Sequence, residues 1–123
     1  MQSVLIDTDI AIDYLRGSRE ARDLIGLLWE EDRAHLSILS VYELYAGMRS
    51  PEAEVTQKFI DACHIDFVTL DVAKHAGEMY RHWRSKGHTL TSIDCLIAAT
   101  ALINDRKIAT KNKNHYPRKE LLL

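Results

Sequence analysis

Apolar residues fall in short blocks along the chain, with two different periods. Val4-Leu5-Ile6 is a continuous apolar run, the mark of a strand buried on both faces. His35-Leu36-Ser37-Ile38, Asp66-Phe67-Val68-Thr69-Leu70 and Lys107-Ile108-Ala109-Thr110 read as further strands. Between them the spacing becomes helical. Asp7 or Thr8 is placed to cap a helix that runs through Ile10, Ile12, Tyr14 and Leu15 to Gly17. Ser18 caps the next, with Ala21, Leu24, Ile25, Leu28 and Trp29 on one face. Ser40 is expected to cap a short helix that stops near Gly47 and Pro51. A further helix starts at about Pro51, with Val55, Phe59, Ile60 and Cys63 inward. Asp71 is expected to cap a helix ending at Gly87, and Thr91 or Ser92 one that runs from Ile93 to about Asn104. The C-terminal leucines are candidates for an edge element.

Strands alternating with helices predict an α/β fold of three layers, α/β/α, around a mostly parallel sheet of four to five strands. In that architecture strand ends and helix starts share one edge of the sheet, where ligand sites form.

The size adds a boundary. The chain has 123 residues, 46% apolar and 28% charged, which fits a single domain over 1–123 with its own core. Cys63 and Cys95 are too few for a disulfide framework and lack zinc spacing. Met1-Gln2-Ser3 carries no basic leader, and the nearly apolar run from Cys95 to Ile103 is too short to span a bilayer. The expectation is a soluble, cytoplasmic protein with no membrane partner. Charge is unevenly spread. Residues 1–72 hold 14 Asp+Glu against 6 Lys+Arg, and residues 73–123 hold 4 against 10. A basic second half suits an anionic partner, although a dipolar solvated surface has the same composition.

Three acids lie where burial is expected. Asp7 ends the first strand, Glu43 sits inside Val41-Tyr42-Glu43-Leu44-Tyr45-Ala46, and Asp94 opens the apolar helix Ile93-Asp94-Cys95-Leu96-Ile97-Ala98-Ala99. The topology brings all three to the ligand-binding edge, Glu43 and Asp94 in the first turns of their helices. Asp7 also suits a helix cap, and Asp94 a first-turn acid that complements the helix dipole. Glu43, with apolar neighbours on both sides, has no such simple role. A buried carboxylate needs a counter-charge, and the windows 4–15, 36–48 and 89–105 contain no Lys or Arg. A divalent metal resolves the repulsion, and Mg²⁺ or Mn²⁺ suits an all-oxygen site. Clustered acids with a metal beside a basic flank point to phosphodiester hydrolysis, because the metal activates water and polarises the phosphoryl group.

At these residues the sequence resembles PIN-domain ribonucleases, in particular the VapC-like toxins of toxin–antitoxin pairs, over essentially its whole length. The carrying segments are Leu5-Ile6-Asp7-Thr8-Asp9, then Ser37-Ile38-Leu39-Ser40-Val41-Tyr42-Glu43-Leu44 with Gly47. Gly87 with Asp94-Cys95-Leu96-Ile97-Ala98-Ala99-Thr100-Ala101, and Lys107-Ile108-Ala109-Thr110-Lys111-Asn112, complete the set. The resemblance implies a Mg²⁺- or Mn²⁺-dependent endoribonuclease toxin. It implies Asp7 and Asp94 as metal ligands, and Glu43 as a second-metal ligand, a water-orienting group or a general base. It also implies a homodimer and a small antitoxin that wraps the toxin near its active site. The pattern departs at one point: His115-Tyr116 stands where many members have an Asp-Phe pair. Asn112 and His115 are then the candidates for the fourth position of the site.

Other residues carry competing readings. Asp9 is a helix cap or an outer neighbour of the metal site. Ser40 makes a capping box with Glu43, which competes with a catalytic Glu43. Thr110 lines the site or ends a strand. Lys107, Lys111, Lys113 and Arg118, with Arg106 and Lys119, are expected to flank the site and contact RNA phosphate. His75, His82 and His88 are expected at the surface rather than on zinc. A non-catalytic RNA- or protein-binding module is the rival of the nuclease reading. Removing the charge of Asp7 or Asp94 is expected to leave the fold intact or more stable.

Overall fold

The structure is a computed structural model and describes residues 2–123. Its strands are β1 (Val4–Ile6), β2 (Ala34–Ser37), β3 (His64–Asp66) and β4 (Lys107–Ala109), all parallel, in the order β3-β2-β1-β4. The helices are α1 (Thr8–Leu15), α2 (Arg19–Glu30), α3 (Ile38–Gly47), α4 (Ala53–Asp61), α5 (Leu70–Ser85) and α6 (Ser92–Ile103). The three-layer parallel arrangement expected from the alternation is the one that forms. The C-terminal leucines extend the β4 edge by a single parallel bridge, Ile108 to Leu122.

The central strand decides the layers. Val4, Leu5 and Ile6 are all fully buried, and side chains alternate across the sheet. Val4 and Ile6, with Ala34 and Leu36, meet Ile25, Leu28 and Phe59 of α2 and α4 on one face. Leu5 and Ile108 meet Ile97, Ala98 and Ala101 of α6 on the other. Helix α5 packs outside α6 through Val72, Ala76, Cys95 and Ala99, whose small side chains allow close approach. Helix α6 therefore lies between sheet and α5, which explains its apolar sequence on nearly every side. Helix α2 covers the core with one face only, and its buried Ala21, Ile25 and Leu28 follow helical spacing. Both cysteines are free and buried, and no helix among the described residues is long and apolar enough to cross a membrane.

Three expected boundaries move. β3 occupies His64–Asp66 instead of 66–70, because its register pairs His64 with His35 and Asp66 with Ser37. Phe67 and Leu70 are 61% and 88% exposed, so the apolar run beyond Asp66 is not a buried strand. The cap of α5 is Thr69, whose hydroxyl accepts the Val72 N–H, rather than Asp71. Helix α3 is capped by Ser37, which accepts the Leu39 N–H at 3.1 Å, rather than by Ser40. β2 leads straight into α3, so Ile38 is already helical and Glu43 falls in the second turn. The chain at Pro51 forms a short 3₁₀ turn, Ser50–Glu52, before α4 begins.

Candidate active site

β1 carries Asp7 to the carboxyl edge of the sheet, where it also caps α1. Its Oδ1 accepts the Thr8 N–H at 2.9 Å. Its Oδ2 accepts two hydroxyls, Thr110 at 2.9 Å and Tyr116 at 2.8 Å. The β1–β4 pairing brings Thr110 there: Ile6 registers with Ala109, and the Asp7 N–H donates to the Ala109 carbonyl. Tyr116 arrives from the C-terminal segment, with its ring buried among Leu5, Ile97, Ile108 and Leu121.

Asp9 stands beside this pair. Its Oδ2 accepts the Lys111 N–H at 2.9 Å and its Oδ1 the Ile10 N–H at 2.7 Å. Burial, with the nearby Asp7 charge, holds the Asp9 carboxyl above the usual range, and the backbone donors partly oppose this. Asp94 is in the first turn of α6, where its N–H donates to the Thr91 hydroxyl at 3.0 Å. Among the described residues its carboxylate has one close ring partner, His115, with Nδ1 3.4 Å from Oδ2. Burial first, then the charges of Asp7, Asp94 and Asp9, push the Tyr116 phenol far above its ordinary range. Of these acids, Asp7 bonds the hydroxyl directly, at 2.8 Å.

Glu43 reaches the same edge from α3. The Thr8 Oγ1 lies 2.6 Å from Glu43 Oε1 and 2.9 Å from Ser40 Oγ. A hydroxyl has one proton and a carboxylate only accepts. The order is therefore Ser40 donating to Thr8, and Thr8 donating to Glu43. Ser40 is fully buried and supports Glu43 through this relay, not through a capping box.

Among the described residues, Asp7, Asp9 and Glu43 have no ion pair with Lys or Arg. Lys111, whose backbone N–H bonds Asp9, sends its Nζ to Asp13 at 2.7 Å instead. The oxygen donors suit a hard divalent cation. Among the described residues, no three His, Cys, Asp or Glu side chains close around one point to hold a metal. The set fits a cation that takes one or two carboxylates, such as Asp7 and Asp94, and keeps several waters.

The remaining candidates divide. The Asn112 side chain is exposed at the start of a 3₁₀ turn, and only its backbone N–H joins the site, donating to Thr110 at 3.0 Å. Lys107 does not flank the acids. It registers with Val4 at the amino end of β4, and its ammonium bonds the Glu120 carbonyl. Arg106 pairs with Asp66 at 3.1 Å, and Arg118 with Glu120 at 2.9 Å. Lys113 is exposed in the turn that leads to His115. His75, His82 and His88 lie on or beside α5. A depression of about 500 Å³ is lined by His75, Glu78, His82 and Trp83 and lies apart from Asp7, Asp9, Glu43 and Asp94. Thr8 and Tyr116 are the site residues that spacing alone did not single out. Tyr116 had one signal: it is the sole aromatic in the polar stretch 110–120.

Unpaired carboxylates at the carboxyl edge of a parallel sheet place the chain among open α/β proteins with their functional site at that edge. The comparisons with known proteins narrow this class. The PIN domain matches residues 4–120. Ribonuclease VapC19 of Mycobacterium tuberculosis is 38% identical over 114 residues, 92% of this chain and 91% of that protein. Ribonuclease VapC10 of the same species is 34% identical, over 97% of this chain and 90% of that protein. In fold, the chain is similar to the structure of DNA-bound VapBC from Salmonella typhimurium. The TM-score is 0.85 at 20% identity, covering 99% of this chain and 96% of that one. The chain belongs to the PIN domain family.

Proposed function

We propose that this protein is a metal-dependent endoribonuclease that acts as a toxin and is silenced by a cognate antitoxin. The observation that carries the reading is a set of acids tied to one sheet edge: the Thr110 hydroxyl lies 2.9 Å from Asp7 and 3.4 Å from Asp9, Thr8 links the same turn to Glu43, and among the described residues no Lys or Arg pairs with Asp7, Asp9 or Glu43. The relatives named as VapC ribonucleases support the reaction class. The likeness in fold to DNA-bound VapBC from Salmonella typhimurium supports an antitoxin partner of the VapB kind.

Asp7 and Asp94 hold Mg²⁺ or Mn²⁺ in this proposal. When bound, the cation supplies Lewis-acid polarisation of the scissile phosphoryl group and acidifies water. Glu43, fixed by the Thr8 hydroxyl, orients the attacking water and takes up its proton. In-line attack leaves a 5′-phosphate and a 3′-hydroxyl. His115, next to Asp94, occupies the fourth position and faces the substrate side with its exposed ring. Lys111 and Lys113, exposed on the segment after β4, meet further phosphates. Homodimer formation belongs to the same proposal.

The test is cleavage of a structured RNA with Mg²⁺, with Mn²⁺ and with EDTA, comparing the wild type with Asp94→Asn. Metal-dependent cutting that falls by at least about a hundredfold in the variant is expected. Equal cutting by both proteins sinks the site assignment. Absence of both cutting and metal binding in the wild type favours a non-catalytic binding module.

A further inference from the structure

Tyr116 bonds the Asp7 carboxylate without being an acid of the site. A carboxylate oxygen has two in-plane lone pairs. On Asp7, Thr110 at 2.9 Å and Tyr116 at 2.8 Å both donate to Oδ2, which fills that oxygen. Oδ1 receives one donor, the Thr8 N–H at 2.9 Å, and keeps one lone pair. We propose that Tyr116 is a positioning residue for Asp7: its hydroxyl, with that of Thr110, occupies Oδ2 so that Asp7 meets a divalent cation through Oδ1 alone.

The arrangement is rigid enough for this role. The Tyr116 ring is 1% exposed and Thr110 is 8% exposed. The ring is buried in one cluster with Leu5, Ile97, Ile108 and Leu121, which restricts how far the hydroxyl can move. The Thr8 N–H is fixed in the first turn of α1. Freeing one lone pair of Oδ2 would let the Asp7 carboxylate turn, so that Oδ1 no longer holds one direction for a cation.

This inference rests on the proposed metal site, and the test separates the two. Mn²⁺ alone is titrated calorimetrically, without RNA, into wild type, Tyr116→Phe, Thr110→Val and the double variant. Urea unfolding of each is followed in parallel. Tyr116→Phe is expected to weaken Mn²⁺ binding about tenfold or more, the usual effect of removing a hydrogen bond to a ligating carboxylate. The double variant should lose less than the product of the single losses, because both hydroxyls act on one oxygen. Binding by Tyr116→Phe within about twofold of wild type, or tighter, overturns the inference whatever its stability. Should that variant not fold, Thr110→Val carries the same test of Oδ2, with the same outcomes. A wild type that binds no Mn²⁺ overturns the metal reading itself.

Discussion

Asp7 accepts three hydrogen bonds, whereas among the described residues the Asp94 carboxylate has one partner, a His115 nitrogen 3.4 Å away. The two acids thus respond differently to the same substitution. Asp7→Asn places an amide NH₂ among donors, and one of the Thr8, Thr110 or Tyr116 groups loses its acceptor. The cost is about 1–3 kcal/mol, the usual penalty for a buried unsatisfied donor. This reverses the sequence-based expectation that removing this charge leaves the fold intact or stabilised. Asp94→Asn gives up one long contact with His115 at little hydrogen-bonding cost, so its stability should match wild type. Urea midpoints of the two variants check the contrast, and equal midpoints would show that the donors around Asp7 contribute nothing. Asp94→Asn is accordingly the cleaner variant for activity. The sequence made Asp7, Glu43 and Asp94 legible because acids inside apolar runs are anomalous at any resolution. Thr8, Ser40 and Tyr116 were not legible as partners, since a hydroxyl is ordinary wherever it occurs. Its role is set by what lies across a gap of 32 to 109 residues in the chain.

At the scale of elements, four helices end in the same way. After α1, α2, α5 and α6 the chain turns through a left-handed residue: Gly17, Asp32, Gly87 and Asp105. Gly17 and Gly87 announce their helix ends in the sequence, because glycine takes positive φ without a Cβ penalty. Asp32 and Asp105 hold φ of 53° and 56° and give no such notice. Asp105→Gly should raise stability by about 0.5–1 kcal/mol through relief of that strain. The exposed Gln2–Asp105 hydrogen bond it loses counts for little. A higher urea midpoint with unchanged cooperativity checks this, and a lower midpoint refutes it. The start of α3 teaches a related lesson. Ser37 and Ser40 are equally good caps by residue type, and β2 pairing through Ser37 determined which one ends the strand.

At the scale of the whole molecule, an ionic network lies on the side of the sheet away from α2 and α4. His35 Nδ1 is 3.1 Å from Asp66, which also takes Arg106 at 3.1 Å, and the His35 ring stacks on His64. Burial lowers the His35 pKa, and the Arg106 and His64 charges add to this, while Asp66 opposes it. The unfolded chain therefore takes up the proton first. Stability from this residue is complete above the ordinary histidine value of 6.5, falls as pH drops through it, and levels off once folded His35 is itself protonated. His35→Gln should reduce the difference in urea midpoint between about pH 7.5 and pH 5.5. An unchanged difference would assign the acid sensitivity elsewhere.

The sequence by itself determined the alternation of strands and helices, hence the parallel three-layer fold, and the three anomalous acids with the edge they share. These follow from local periodicity and from the cost of burying charge, both of which a linear chain displays. Only the tertiary structure decided where β3 stops, which serine caps α3, and that Lys107 faces away from the acids. It alone joined Tyr116 to Asp7 and Thr8 to Glu43. Such facts depend on strand register and on side chains that meet across the sheet edge, and neither is encoded within one segment of the chain.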